Sequence, residues 1–284
     1  MTDPAKVYSV QTVDAALNIL DGEKDVRILA GGTDLMVLLN ARQFRAPAFL
    51  DIWKVNELRG IRDEGAWLRI GALTSFSEII NSRLTRTWTP LLVEAALTIG
   101  AVQIQNRGTL GGNLVNGSPA GDSLPVLAVL DAEIDIASQS RGTRTVGYQD
   151  FYTAYRRTVL EADEIVTSIK VRKLEPGEKG FFYKVGTRRA QAISKVMMAA
   201  RLAMNNGSID SCAISYGSMT PVVRRAGRVE AALRGWVSGS ALPESIQNLL
   251  EGELSPIDDI RSTARYRMRV ARNLLARMLR EVER

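Results

Sequence analysis

Five glycines fall within fourteen residues in the stretch NRGTLGGNLVNGSPAGDSLPVLAVLDAEIDI (residues 106–136), at Gly108, Gly111, Gly112, Gly117 and Gly121. Glycine admits positive φ and lets successive backbone N–H groups converge, so such a stretch suits either tight turns or a nest around an anion. Thr109, Asn113 and Ser118 could add side-chain donors. A second concentration, ILAGGTDLMVLLN (residues 28–40), sets Gly31 and Gly32 between two apolar runs. On spacing alone, both readings stay open for both stretches.

The known phosphate loops can be tested directly. A P-loop needs G-x-x-x-x-G-K-[ST], and GNLVNGS (residues 112–118) lacks the lysine. The Rossmann fingerprint G-x-G-x-x-G occurs nowhere in the chain. ATP and Rossmann-type dinucleotide sites are therefore disfavoured.

Composition removes most self-sufficient catalysis. The 284 residues include no histidine, which excludes a Ser-His-Asp triad, a Cys-His pair and any histidine-ligated metal. The single cysteine, Cys212, can neither close an intrachain disulfide nor hold an iron–sulfur cluster alone. Chemistry done by this chain should be carried by a cofactor. No metal ligand set and no catalytic side chain stands out. The N-terminal residues lack the basic and long apolar regions of a signal peptide, and no stretch is apolar enough to span a membrane, so a cytoplasmic location is expected. The net charge is +6, with arginines at 261, 265, 267, 269, 272, 277 and 280. Acidic residues are well spread elsewhere and no nucleic-acid motif appears, so nucleic acid is not expected as a partner.

Periodicity predicts a helix over 12–20 with Thr12 as N-cap, a strand over 26–30, a helix over 34–40 and a strand over 48–55. This α-β-turn-α-β order describes a small α/β unit, with room for a parallel strand pair. Strands are predicted over 67–73, over 128–138, where Ile134, Asp135 and Ile136 alternate, and over 164–171, with helices over 74–82 and 90–99. The polar stretch 172–180 is the best boundary candidate. Beyond it come the strand-like GFFYKV, an Ala/Met-rich run, a hairpin turn at Asn205-Asn206-Gly207, two short amphipathic helices and the arginine-rich helix. In that last helix Arg261, Arg265, Arg269 and Arg272 recur at helical spacing, beside an apolar stripe of Ala264, Met268, Ala271, Leu275 and Met278.

The sequence resembles the FAD-binding (medium) subunit of the molybdenum hydroxylases, the xanthine dehydrogenase family. LAGGTDL is followed, roughly 75 residues later, by IQNRGTLGGNLVNGSPAGDSLPVLAVLDA, against a family pattern of IRN-x-x-T-x-GGN and SPAGDSLPVLLALDA. Gln105 replaces the usual arginine. GALTSFSEI, EADEIVTSIKV, FYKVGTRRAQAIS and the terminal RSTARYRMRVARNLLARML match in order, so the likeness runs through essentially the whole chain.

The resemblance implies an α+β fold: a two-subdomain FAD-binding domain of the vanillyl-alcohol-oxidase (PCMH) type over 1–173, with subdomains of about 1–57 and 58–173, then a CO dehydrogenase flavoprotein-like α+β domain over 178–284. It implies that Ile28, Leu29, Ala30, Gly31, Gly32, Thr33, Asp34 and Leu35 wrap the FAD pyrophosphate, with Gly31 and Gly32 permitting that approach. Thr109, Leu110, Gly111, Gly112 and Asn113 would grip it from the other side. Asp122 would accept from ribose hydroxyls, and Ile99 and Gly100 would lie near the cofactor. Ile165 or Val166 would flank the isoalloxazine ring, and Lys184 would lie near the flavin, with Arg157 a further candidate. Surface charge alone is the plainer reading of Lys184 and Arg157, and core packing that of Val166.

The implied activity is electron transfer within an oxidoreductase complex. A large molybdopterin-binding subunit would hydroxylate the substrate, a small subunit would carry two 2Fe–2S clusters, and this chain would pass electrons through FAD to NAD⁺ or another acceptor. With Cys212 alone, the chain cannot hold the additional cluster of the 4-hydroxybenzoyl-CoA reductase branch. A stand-alone flavin oxidase of the same fold and a flavin-free assembly or binding protein are the competing readings.

Overall fold

A computed structural model describes residues 5–188 and 191–282. Arg189 and Ala190 of the FYKVGTRRAQAIS motif lie outside the described residues.

The first unit contains β1 (Lys6–Ser9), α1 (Val13–Gly22), β2 (Val26–Leu29), α2 (Leu35–Asn40) and β3 (Ala48–Asp51). Its three strands form a parallel sheet in the order β1-β3-β2. Thr12 caps α1, its side chain accepting from the Ala15 N–H at 3.2 Å, and Ala16, Leu17 and Leu20 are the buried face. None of the four residues of β1 is buried, Val7 included. Backbone pairing to β3 defines it instead.

The second unit runs through β4 (Ile61–Glu64), β5 (Trp67–Gly71), α3 (Phe76–Asn81), α4 (Arg83–Trp88), α5 (Pro90–Leu97), α6 (Val102–Arg107), α7 (Leu110–Asn116) and α8 (Leu124–Val129). It continues with β6 (Glu133–Ser138), β7 (Gly142–Gly147), α9 (Tyr148–Phe151), the short pair β8 (Tyr152–Ala154) and β9 (Arg157–Thr158), and β10 (Glu164–Arg172). Five strands form one antiparallel sheet, β4-β5-β10-β6-β7. Leu68, Ile70, Ile134, Ile136 and Ile169 face the helices, whereas Ala137 and Ile165 join Leu50, Ile52 and Leu20 in the core shared with the first unit. The expected strand over 128–138 begins later than its apolar run, because residues 124–129 are helix α8, fully buried and opened by Pro125.

The third unit has β11 (Glu178–Val185), β12 (Val196–Asn205) and β13 (Ser208–Gly217) in an antiparallel sheet, then α10 (Gly227–Leu233), α11 (Glu244–Glu253) and α12 (Ala264–Val282). The Ala/Met-rich run is β12. Met197 and Ala199 pack into the core of the second unit while Val196, Met198, Ala200 and Leu202 pack under the C-terminal helices, so no polar alternation exists to betray a strand. Asn206 and Gly207 turn the hairpin with φ of 48° and 78°. On α12 one arginine outside the expected polar side has a structural role. Arg267 is buried and donates to the Lys195 carbonyl at 2.7 Å and to Asp259 at 2.7 Å. No helix among the described residues is long and apolar enough to cross a membrane.

Candidate functional site

A cleft of about 1120 Å³ opens between the first and second units, at the carboxyl end of parallel strand β2. Its walls come from the turn after β2, the segment before α6, the start of α7, the loop before α8, the start of β10, and Arg188, Gln191, Ala192 and Ile193.

The first loop supplies donors. Gly32 takes a left-handed φ of 76°, which reverses the chain between β2 and α2. Among the described residues, the backbone N–H groups of Gly31, Gly32, Thr33 and Asp34 have no protein acceptor. Their carbonyls are less free, since Gly32 and Asp34 accept the Met36 and Val37 N–H groups at 3.0 and 3.1 Å. Gly31 is glycine for a different reason. A Cβ there would lie 1.7 Å from the Arg107 carbonyl oxygen, so its bare Cα admits the second loop rather than a ligand.

The second loop is not the nest its glycines suggest. Thr109 caps α7, and its side chain accepts the Gly112 N–H at 3.1 Å. The Leu110 and Gly111 N–H groups donate to Thr74 and Ala72 at 3.1 and 2.9 Å, and Asn113 N–H donates to Thr109 at 3.0 Å. Leu110 is wholly buried and stays off the cleft wall, while Gly111 is bare because a Cβ would meet Ala72 at 2.7 Å. Thr109, Gly111, Gly112 and Asn113 do line the cleft. Ser123 donates to Asn113 Oδ1 at 2.7 Å, which leaves the Asn113 amide NH₂ as the donor.

Asp122 also lines the cleft. One oxygen accepts from Lys184 Nζ at 2.8 Å; the other, Oδ1, is buried without a partner. Burial pushes its carboxyl up to about 6, against the pull of the lysine charge. Lys184, only 9% exposed, also donates to the Thr98 carbonyl at 3.0 Å. It stands behind Asp122 and lines a smaller cavity of about 380 Å³ with Glu94, Leu97, Thr98, Phe182 and Arg188, not the main cleft.

Ile28, Leu29, Ala30, Leu35, Ile99 and Gly100 line the main cleft, as do Ile165 and Val166. The pairing of β10 with β6 shifts register just after Val166, and such bulges re-aim side chains beside sites. Arg157 lies on β9 outside the cleft, whereas its neighbour Arg156, with φ of 52°, lines it. Glu164 is a cleft residue that sequence reasoning passed over. Its carboxylate, held below the usual range chiefly by Arg144, accepts from that guanidinium at 2.8 and 2.7 Å. Arg188, Gln191, Ala192 and Ile193 arrive from the third unit, and no local sequence signal places them here.

An anion would find four unpaired N–H groups, a planar group would find the apolar walls of Ile165 and Val166, and a hydroxyl would find the unpartnered Asp122 oxygen. The site therefore fits a phosphate-bearing cofactor with both an apolar ring and free hydroxyls.

Comparison with known proteins agrees. Residues 3–173 match the family described as FAD binding domain in molybdopterin dehydrogenase, and residues 181–282 match the CO dehydrogenase flavoprotein C-terminal domain. The glyceraldehyde dehydrogenase medium chain of Sulfolobus acidocaldarius is 32% identical over 272 residues, 96% of each chain. The xanthine dehydrogenase FAD-binding subunit of Escherichia coli O157:H7 is 29% identical over 99% of this chain and 97% of its own. The structure of a carbon monoxide dehydrogenase from Hydrogenophaga pseudoflava, lacking the Mo-pyranopterin moiety of its molybdenum cofactor, superposes with a TM-score of 0.89 at 28% identity. That match covers 98% of this chain and 96% of the other.

Proposed function

Since this chain belongs to the FAD-binding medium subunits of the molybdenum hydroxylases, we propose that it binds FAD in the cleft and works as the electron-transfer subunit of a heteromeric complex. It takes electrons from 2Fe–2S clusters of a small partner subunit and delivers them to NAD⁺ or another acceptor, while a large partner holds the molybdenum cofactor. Bound FAD supplies redox chemistry that this histidine-free chain lacks. The division of the chain follows the same reading, with residues 1–57 and 58–173 closing on the cofactor and 178–284 packing against them and reaching the cleft wall at Arg188, Gln191, Ala192 and Ile193. The reading places the complex in the cytoplasm.

The observation that carries the proposal is the run of unpaired N–H groups from Gly31 to Asp34 in a cleft that Asp122, with its unpartnered Oδ1, also lines. In it, residues 28–35 hold the pyrophosphate, with the Thr33 hydroxyl as an added donor. Thr109, Gly111, Gly112 and Asn113 form the opposite wall, where bare glycines leave space and Asn113 supplies its amide. Asp122 accepts a ribose hydroxyl, Ile99 and Gly100 line the adjoining wall, and Ile165 and Val166 exclude water beside the ring. Lys184 acts through Asp122, keeping that carboxylate charged and oriented. Arg157 has the weakest geometric support of the set.

The purified chain should be yellow, with FAD as the chromophore released on denaturation. A colourless protein that also took up no added FAD would overturn the proposal. Co-purification with a molybdenum-containing partner separates the complex subunit from a stand-alone flavin oxidase, which would turn over without one.

A further inference from the structure

Trp53, just beyond β3, has two guanidinium groups over its ring, Arg107 at 3.8 Å from the centroid and Arg59 at 4.3 Å. The backbone of Trp53 is anchored from both units, by Asp51 of the first and through Arg59 by the second. Asp51 accepts the Trp53 N–H at 2.9 Å, and Arg59 donates to the Trp53 and Leu73 carbonyls at 2.9 and 3.0 Å, with Glu78 at 3.7 Å. Arg107 belongs to the second unit, as the last residue of α6 before the second loop. Its carbonyl oxygen occupies the space a Gly31 side chain would need, and its Nε donates to the Gly31 carbonyl at 3.5 Å. Among the described residues it makes no ion pair. One exposed side chain thus spans both loops and rests on a fixed aromatic platform.

We propose that Arg107 is a positioning residue for the bound dinucleotide: its contact with Trp53 fixes the spacing of the two loops, and with it the aim of the Gly31–Asp34 N–H groups. The inference rests on the flavin reading above. Its physical basis is the steep loss of hydrogen-bond strength with misalignment, multiplied over several bonds to one charged group. A cation–π contact at an exposed site is small beside the stability of a folded domain, so affinity for the dinucleotide should respond while global stability does not.

The test uses the full chain stripped of flavin, as wild type, R107A, R107K, W53F, W53A and the R107A/W53A double variant. Each is titrated with FAD, melted without it, and examined by ³¹P resonance of the bound pyrophosphate. The expected result is a loss in FAD affinity of about five- to tenfold for R107A, with unchanged melting temperature and a displaced ³¹P signal. R107K should recover part of the loss, W53F should resemble wild type, and the double variant should be no worse than either alanine variant. R107A binding FAD like wild type, losing FAD only in step with its melting temperature, or leaving the ³¹P signal in place would overturn the inference while wild type still bound FAD. Wild type failing to bind FAD would instead bring down the flavin reading on which it stands.

Discussion

The two loops that face each other across the cleft both contain Gly-Gly, and they use it in opposite ways. After β2, Gly31 gives up its side-chain space to the Arg107 carbonyl and Gly32 reverses the chain, which leaves four N–H groups unpaired. Before α7, the corresponding N–H groups are already taken by Thr74, Ala72 and the Thr109 side chain, and Gly111 exists to seat a helix against Ala72. Glycine therefore marks close approach in both places, but only one approach leaves donors for a ligand. Who else accepts the N–H groups decides the function, and that is a tertiary matter.

Gly31→Ala should break this arrangement most severely. The new Cβ would meet main-chain atoms of Arg107, which cannot rotate away, so the loops must part. A stability loss of about 3 kcal/mol or more is expected in chemical denaturation, with flavin uptake abolished. Unfolding at the wild-type denaturant concentration would mean that the two loops do not touch.

Gly32→Ala acts through backbone conformation instead. Its nearest side-chain neighbour, Met36, is flexible at 3.3 Å, so the cost is the left-handed φ, roughly 1–2 kcal/mol. An unchanged melting temperature would show that the loop relaxes to another conformation.

On the opposite wall the expected effects are smaller and separable. Thr109→Ala removes the cap of α7 and should cost about 1 kcal/mol. Gly112→Val puts a branched side chain on the cleft wall, with its Cβ 2.8 Å from Thr109 Oγ1, a side-chain atom that can turn aside. The folded variant should lose its flavin while Thr109→Ala keeps it. Normal flavin content in Gly112→Val would remove this wall from the site.

The same contrast explains what could be read before the structure. Elements with their own local signals were legible: α1 with its Thr12 cap, β2, α2, β10 and the Asn206-Gly207 turn. β12 was not, because burial of both faces erases alternation, and α7 was not, because Gly111 and Gly112 in its first turn weaken the helix signal that the Thr109 cap begins. In the site, the motif resemblance pointed to most of the cleft wall. It pointed to Lys184 as near the flavin, and the fold sets that lysine against Asp122 on the cleft wall. Arg156, left-handed in the β8–β9 turn, reaches the cleft, whereas Arg157 is held in the ladder opposite Ala154. Such one-residue choices are set by turn geometry that spacing does not encode.

The smallest effect tests the acceptor on the cleft wall. Burial holds the Asp122 carboxyl up at about 6, above its ordinary value, so without ligand the folded chain carries a proton there that the unfolded chain has lost. That contribution is fully present below the ordinary carboxylate range and is gone once pH has risen through about 6. A ligand hydroxyl donating to Oδ1 favours the charged form, so it lowers the carboxyl in the complex and binding releases a proton between the two values. FAD affinity should therefore rise with pH from 5 to 7 and then level off, with a slope of at most about tenfold per pH unit, the limit for one proton. No histidine titrates in that window, and Glu164 stays charged through it because Arg144 holds its carboxyl low. Glu94, also raised by burial, faces the smaller cavity, and an E94Q control isolates its share. Titrations of apo protein with FAD at pH 5 and pH 7.5 that gave equal affinities in the E94Q background would show that no hydroxyl donates to Asp122, leaving the carboxylate as a structural anchor for Lys184 alone.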